Sequence, residues 1–404
     1  MSDADGQRHK RQVALLSACW ALSGTSNLLL VSVAVLSGHL LADDKAFAAL
    51  PVALQWSGTA LMAAPASFYM RRFGRRVGFW TGSTLISIGA ALAVVALYQG
   101  RFAWLCVGGL LVGFGNAFNW YYRFTAAEVS PEAYRSRAIS FVLAGGVVAA
   151  VVGPTLADAT KDLFAPINFA GAYATMIVVN AAIAVILLAV RVPQPPAEDL
   201  HGGRPIGVIV RQPAFFVAMV GGLAAYGVMV LMMSVTPLAM VLNKHSFSDA
   251  TFVIQWHVLG MYVPSFVTGH LIRRFGVLNV MLIGTVFIAA SIAIGLDGTS
   301  LDHFWAALAT LGLGWNFLFI GATTLLTESY SVSERAKSQA LNEVVIFTGV
   351  GLATFFSGTL LHEVGWRAVN LAALPPIAMV AVAIIWLMIR RASQPTSAGA
   401  APGE

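Results

Sequence analysis

The chain has 404 residues, of which 58% are hydrophobic and only 10% are charged. An ordinary soluble domain carries about a quarter charged residues, so this composition excludes that class and indicates a membrane protein. The formal net charge is +6. In a membrane protein an excess of this kind reflects orientation in the lipid bilayer, and it gives no reason to expect a nucleic-acid partner.

Twelve stretches of the chain contain no charged side chain, and each reaches the roughly 17 to 20 residues that a helix needs to cross a bilayer. Only helices and closed barrels satisfy their backbone in lipid, and barrel strands would be about half as long. The sequence therefore predicts an all-α membrane protein with twelve transmembrane helices. These spans, numbered one to twelve, are 12–42, 46–70, 77–100, 102–122, 138–157, 163–190, 212–243, 250–272, 275–296, 303–327, 344–362 and 368–389.

The lysines and arginines are distributed unevenly between the two sides of these spans. If the N-terminus is cytoplasmic, nineteen of the 24 lie on the cytoplasmic side, and the other five, Lys45, Arg101, Lys161, Lys244 and Arg367, lie outside. Basic residues are retained on the cytoplasmic side, so both termini are predicted to be cytoplasmic. The first stretch lacks an A-x-A cleavage site and is too long for a signal-peptide core, so it is expected to remain as span one.

A stretch rich in proline and glycine divides the spans six and six, and its composition resists regular structure. The predicted units are an N-terminal six-helix half at 1–190, a cytoplasmic linker at 191–212, a C-terminal six-helix half at 213–391 and a cytoplasmic tail at 392–404. The two halves also share sequence. The segment Arg71–Gly74 recurs as Arg273–Gly276, and Glu128 recurs as Glu328, an offset of about 200 residues. Such a repeat predicts two pseudo-symmetric halves with the substrate bound between them near the midplane.

The end of span two carries a motif that resembles the loop motif of the major facilitator superfamily, Gly-x-x-x-Asp-Arg-x-Gly-Arg-Arg. In this chain it reads Ser67-x-x-x-Arg71-Arg72-x-Gly74-Arg75-Arg76. The resemblance implies the fold of that superfamily, in which two six-helix halves move by alternating access. It also implies that the chain is not an enzyme.

The resemblance also implies a gate at the cytoplasmic face. In the superfamily the acidic residue of this motif meets the start of span eleven, whereas here Arg71 takes its place and Glu343 lies at the start of span eleven. Exchanged charges predict a gate that involves Arg71, Arg72, Arg273, Arg274 and Glu343. The alternative is that an acid in the first turn is favoured by the helix dipole alone.

Two residue pairs point to a metal. Met229 and Met233 lie four residues apart in span seven, as do His257 and Met261 in span eight, so each pair stacks on one face of its helix. Thioether sulfur and imidazole nitrogen are ligands that soft copper prefers. Methionine is also a common filler of apolar helices, but an imidazole within the bilayer is costly and needs a partner. Counting the rise along each helix places both pairs at about the same depth, which predicts one site.

This pair of motifs is similar to that of the CcoA-type copper importers of the superfamily, which serve assembly of the cbb3-type cytochrome oxidase. The resemblance implies a bacterial inner-membrane importer that carries copper as its substrate and has no permanently bound cofactor. The implied ligands are Met229, Met233, His257 and Met261. A downstream copper chaperone or oxidase assembly factors would be its partners. His39 and Gln255 are predicted as accessory residues.

Two other functions fit the sequence. The first is a permease for riboflavin or a similar aromatic solute, with a binding surface made by the aromatic residues Trp120–Tyr122 and Trp315. The second is a copper sensor or assembly factor that keeps the fold and the ligands without transporting. Other polar residues within the spans, Asn27, Asn116, Asn119 and Asn316, could bind a polar substrate, but most of them are predicted to form hydrogen bonds between helices. Pro237 and Pro264 predict kinks in spans seven and eight.

Overall fold

The computed structural model describes residues 3–131, 135–192, 203–331 and 334–393, and within these ranges it contains helices and no strand. The predicted all-α fold is confirmed. Among the described residues, ten helices are long and apolar enough to cross a membrane, and the number is eleven if a pair of helices bent by 41° is counted as one span. The helix Arg135–Thr160 corresponds to predicted span five, and its residues Ala144–Thr160 form an apolar helical stretch.

The first half contains spans one to six. Their helices are Asp3–Leu41, Leu50–Phe73, Arg75–Gln99, Phe102–Asn119 with its continuation Tyr122–Glu128, Arg135–Thr160 and Ala170–Ala189. A short 3-10 helix, Lys45–Phe47, precedes span two. Glycines allow spans two and four to pack closely: a Cβ atom at Gly109 or Gly113 would collide with the backbone carbonyl of Pro51 or Gln55.

The second half contains spans seven to twelve. After a short helix, Ile206–Val210, they are Pro213–Met233 with Thr236–Leu242, Phe247–Tyr262 with Ser265–Phe275, Val277–Asp297, Leu301–Thr327, Arg335–Glu363 and Trp366–Ala392. Spans seven and eight are each broken beside the predicted proline, Pro237 and Pro264. Residues 193–202 of the predicted linker and 394–404 of the predicted tail lie outside the described residues.

The sequence repeat has a structural basis at the turns after spans two and eight. Gly74 and Gly276 adopt φ values of 90° and 84°, a region that favours glycine, and each joins two helices directly. The ion pairs nearby are not repeated. Glu128 pairs with Arg75 at 2.5 Å within the first half, whereas Glu328 pairs with Arg391 of span twelve at 2.7 Å.

The two ends of the helix bundle carry different charged residues. The Arg-rich face carries Arg71, Arg72, Arg273, Arg274 and Arg390, and the distal face carries Lys45, Lys161 and Lys244. On the Arg-rich face, Arg204 donates from Nε and from its terminal nitrogen to Glu334, both at 2.8 Å. These hydrogen bonds hold the pKa of the Glu334 carboxyl well below its usual range, and they fasten the linker to the loop before span eleven.

Asn316 of span ten stabilises the bend in span eight. Its Nδ2 donates to the carbonyl oxygen of Met261 and to Ser265 Oγ, each at 2.6 Å. Its Oδ1 accepts from Thr268 Oγ1 at 2.6 Å. A helix broken in the bilayer must satisfy the backbone groups that the break releases. Asn316 supplies that partner, which confirms its predicted role as a link between helices.

We predict that Asn316→Leu lowers the free energy of unfolding by about 1–3 kcal/mol, because it leaves a buried carbonyl without a donor. Unfolding of the purified protein in mixed detergent micelles measures the change. Thr323→Val is the matched control, since Thr323 is an exposed residue of the same helix that bonds only to its own helix. Equal stability of the two variants would contradict this role of Asn316.

Candidate functional site

A cavity of about 80 Å³ lies between the halves. Its wall comes from spans one, two and five of the first half and from spans seven and eight of the second. The prediction from the repeat was a site between the halves, and the cavity has that location. Three kinds of side chain meet there: thioethers, aromatic rings and an amide.

The thioethers are those of the predicted metal ligands. Met229, Met233 and Met261 all line the cavity, and each is at least nine-tenths buried. The helical spacing within span seven and the antiparallel course of span eight therefore bring three of the four predicted ligands to one place. Among the described residues there is no group of three or more His, Cys, Asp or Glu side chains that would hold a metal ion.

The fourth predicted ligand, His257, is fully buried but is not part of the cavity wall. Its Nδ1 lies 2.8 Å from the carbonyl oxygen of Leu308 in span ten. A carbonyl only accepts hydrogen bonds, so Nδ1 carries the proton, and Nε2 is left buried with no hydrogen-bond partner. Gly260 and Gly312 let the backbones of spans eight and ten approach closely, which explains why the imidazole meets span ten.

Aromatic rings form a continuous cluster across the interface between the halves. Trp56 of span two contacts Tyr226 of span seven with ring centroids 5.6 Å apart, and it stacks on Phe347 of span eleven at 6.0 Å. Tyr226 also contacts Trp315 of span ten at 5.5 Å. Trp56 and Tyr226 line the cavity. The cluster thus brings aromatic rings from both halves to the cavity wall.

The cluster extends into the first half through Trp120 of span four. Its ring lies 5.8 Å from that of Phe347 and 5.5 Å from that of Trp20, which lines the cavity. Of the aromatic residues that the sequence suggested, Trp120 and Trp315 therefore belong to the cluster. Tyr122 does not, because it is fully buried against Phe79 at 4.1 Å.

Sequence reasoning missed Trp56, Tyr226 and Phe347. Tyr226 lies three residues before Met229, so helical spacing alone gave a signal that both face one way. Trp56 and Phe347 had no such neighbour, since the rings that they contact belong to distant parts of the chain.

An amide network adjoins the cluster. Asn27 of span one lines the cavity, and its Oδ1 accepts from Gln55 Nε2 at 2.9 Å and from Asn116 Nδ2 at 3.2 Å. Asn119 Nδ2 lies 3.5 Å from Asn116 Oδ1. The predicted interhelical role is confirmed for Asn27 and Asn116, whereas Asn119 contacts Asn116 of its own helix. The network joins spans one, two and four.

The two predicted accessory residues lie off the cavity wall. Gln255 is partly buried on span eight. His39 lies at the distal end of span one, where its Nδ1 is buried with no hydrogen-bond partner. It is close enough to Lys45 and His362 to interact with them electrostatically.

The predicted gate residues are not paired with one another in this conformation. Arg71 and Arg72 are exposed, with their guanidinium groups over the rings of Phe68 and Phe73 at 5.4 and 5.3 Å. Arg273 and Arg274 are exposed too. Glu343 is partly buried and interacts electrostatically with Arg123 of the first half.

Arg123 was not predicted from the sequence as a partner of Glu343. It lies at the end of span four, with its guanidinium 4.7 Å from the centre of the Phe124 ring. Its Nε is buried and has no hydrogen-bond partner. The positive charge that Glu343 meets here is thus that of Arg123 rather than that of Arg71.

Contacts between the halves close the distal side of the cavity. Ser248 Oγ of span eight donates to Asp158 Oδ2 of span five at 2.7 Å. Thr359 Oγ1 of span eleven donates to the carbonyl oxygen of Ala46 at 3.3 Å. The halves therefore meet at the distal face.

The chain matches the family described as Major Facilitator Superfamily over residues 13–254 and 228–404. It is 39% identical over 388 residues to the riboflavin transporter RfnT of Brucella anthropi, a match that covers 95% of this chain and 97% of that protein. It is 28% identical over 375 residues to YddS of Bacillus subtilis, described as an uncharacterized MFS-type transporter, with 87% of this chain and 86% of that protein covered.

Solved structures share the fold at low sequence identity. A bacterial homologue of the human lysosomal transporter Spinster, inward-facing and unoccupied, superimposes with a TM-score of 0.63 at 18% identity and covers 95% of each chain. FucP in its outward conformation gives a TM-score of 0.62 at 17% identity, covering 94% of this chain and 98% of that one. RfnT, whose name states its substrate, is a riboflavin transporter and not a copper importer. The matched family, and the ten to eleven candidate spans among the described residues, agree with the resemblance in the loop motif, and the chain belongs to the Major Facilitator Superfamily as a multi-pass membrane transporter.

Proposed function

We propose that this chain transports riboflavin, or a solute with a similar flat and polar ring system, through the cavity between its halves. The observation that carries the proposal is the aromatic cluster, which presents Trp20, Trp56 and Tyr226 to the cavity from both halves. The 39% identity to a riboflavin transporter over 95% of the chain supports it.

The physical basis is stacking. A ring held between aromatic side chains gains about 1–3 kcal/mol per stacked base in nucleic-acid complexes, and an isoalloxazine offers a comparable flat surface. Sites for solutes of drug-like size measure roughly 300–1,000 Å³. The present cavity of about 80 Å³ must widen to take a three-ring solute. Separation of Trp56 from Tyr226, which belong to different halves, is the motion that would admit one.

Alternating access follows from the same arrangement. In this conformation the distal side is closed by contacts such as Ser248 with Asp158. We place the Arg-rich face and both termini in the cytoplasm of a bacterial cell, with the chain in its inner membrane, because basic loops remain on that side. The conformation then corresponds to the inward-facing half of the cycle.

Copper import is the second candidate function, and one observation favours it. Three thioethers, those of Met229, Met233 and Met261, share one cavity, and soft copper prefers such ligands. His257 would complete the set only after its ring left Leu308. A copper-sensing role without transport would use the same ligands.

The gate between Arg71 or Arg72 and Glu343 is part of the proposal for the opposite, distal-open conformation. Glu343 would then exchange partners during the transport cycle. It would interact electrostatically with Arg123 when the distal side is closed, and with Arg71 or Arg72 when that side is open. Arg273 and Arg274 hold the equivalent positions in the second half.

Leucine in place of Trp56 or Tyr226 should weaken riboflavin binding about 5- to 150-fold, which corresponds to the loss of about 1–3 kcal/mol of stacking. Quenching of flavin fluorescence by the purified protein measures binding, and uptake of labelled riboflavin into proteoliposomes measures transport. Trp386→Leu is the matched control, because that ring is 43% exposed on span twelve. Unchanged affinity in both cavity variants would rule out the aromatic site.

Simultaneous Met229→Leu, Met233→Leu and Met261→Leu should separate the two candidate substrates. Leucine keeps the bulk of methionine and removes the sulfur, so riboflavin uptake should fall by no more than about tenfold. A parent protein that accumulates radioactive copper in proteoliposomes, and a triple variant that does not, would support the copper function instead. A copper chelator should leave riboflavin uptake unchanged.

Glu343→Gln and the pair Arg71→Gln with Arg72→Gln should show coupling in a double-mutant cycle on transport rate. The expected coupling is about 0.2–1 kcal/mol, as for an ion pair that is partly exposed. Arg76→Gln is the control from the same loop, where its guanidinium lies over Trp80 at 5.5 Å. Strictly additive effects would remove the gate from the cycle.

A further inference from the structure

The amide network fixes the orientation of one side chain in the cavity. Asn27 Oδ1 accepts two hydrogen bonds, from Gln55 Nε2 at 2.9 Å and from Asn116 Nδ2 at 3.2 Å. A carbonyl oxygen has two lone pairs, so these two donors saturate it. The oxygen of Asn27 therefore faces the helices of spans two and four.

The nitrogen of the same side chain is left for the cavity. Asn27 Nδ2 has no hydrogen-bond partner among the described residues, and unlike the fully buried polar atoms without a partner it is accessible. It is thus open to the space that Asn27 lines. An amide nitrogen carries two N–H groups and cannot accept, so the cavity meets a hydrogen-bond donor of fixed direction.

The partners of Asn27 are held firmly. Gln55 is completely buried, and Asn116 is tied in turn to Asn119, which is 5% exposed. Hydrogen bonds in such low-dielectric surroundings are stronger than in water, which opposes rotation of the Asn27 amide. Gln55 and Asn116 are accordingly positioning residues, and Asn27 is the group that a solute would touch.

The surroundings of this donor are mostly apolar. Trp56, Tyr226, Val230 and Met233 line the same cavity, and Ser234 adds a hydroxyl from the second half. A solute that stacks on the rings and leaves the Asn27 donor unmatched would bury an unsatisfied polar group. Such a solute is penalised, so the donor selects among flat rings of similar size.

The amide in span ten of the second half is used differently. The amide of Asn316 is occupied by Met261, Ser265 and Thr268. The amide network at the cavity therefore belongs to the first half.

We propose that Asn27 is a specificity-determining residue that donates a hydrogen bond from Nδ2 to a ring carbonyl oxygen of the transported solute, while the ring stacks against Trp56 and Tyr226. The proposal rests on the proposed transport of a riboflavin-like solute and adds the feature by which such a ring is chosen. The substrate class is a flat heteroaromatic ring with at least one carbonyl oxygen on its edge.

The test compares riboflavin with its 2-thio and 4-thio analogues, in which sulfur, a weaker acceptor, replaces one ring carbonyl oxygen. The parent protein should bind one of the two analogues about two- to tenfold more weakly than riboflavin, as for loss of one hydrogen bond. In Asn27→Ala this ratio should fall to one. Asn279→Ala, which removes an exposed amide of span nine that bonds to the preceding turn, should keep the ratio of the parent.

The positioning residues are tested by the same ratio. Gln55→Glu and Asn116→Leu each remove one donor to the Asn27 oxygen, so the amide is free to turn and the ratio should fall toward one. A purely structural role would weaken binding of riboflavin and of the analogue equally and leave the ratio unchanged. Asn27→Asp keeps the shape of the side chain but has no amide N–H group, so it provides a second variant at Asn27.

Two results would overturn the inference. One is a parent protein that binds riboflavin and both analogues equally. The other is an Asn27→Ala variant that still discriminates like the parent. In both cases riboflavin is bound, so the proposed function stands while the role of Asn27 fails. A parent protein that binds no riboflavin overturns the proposed function and this inference together.

Discussion

The structure depends on one constraint: within the bilayer every backbone group must find its hydrogen-bond partner in the protein. Continuous helices meet it automatically, and the broken spans beside the cavity meet it through side chains. Thr236 Oγ1 donates to the carbonyl oxygen of Met232 in span seven, and Asn316 and Thr268 serve span eight. Because these bonds hold the breaks, Met261 and Tyr262 face the cavity at the end of one helical segment while the next segment turns away by 41°.

Much of this architecture follows from local features of the sequence. Uncharged stretches of sufficient length give the spans, and the repeated Arg-Arg-Phe-Gly segment gives equivalent turns at Gly74 and Gly276. Pro237 and Pro264 mark the breaks, since a proline removes a backbone donor wherever it falls. The ion pairs could not be predicted from such local features. Glu328 meets Arg391 rather than a residue equivalent to Arg75, because the repeat has Val277 at that position.

The candidate site was only partly predictable, for geometric reasons. Residues four apart on a helix differ by about 40° in direction, because a turn takes 3.6 residues. That difference is compatible with Met261 on the cavity wall and His257 against span ten. Which of these two side chains lines the cavity depends on how span eight packs against its neighbours. The aromatic cluster is harder still, since Trp56, Tyr226 and Phe347 come from three distant spans.

Two asparagines on equivalent helices of the halves, Asn116 in span four and Asn316 in span ten, serve different purposes. Asn316 is fully engaged in holding a broken helix, so a change there alters the course of span eight. Asn116 donates instead to the side-chain oxygen of Asn27, which lines the cavity. A substitution at Asn116 therefore alters the cavity wall and leaves the break in span eight in place. Selectivity and mechanical integrity depend on different amides of this transporter, so protein engineering can change the first without disturbing the second.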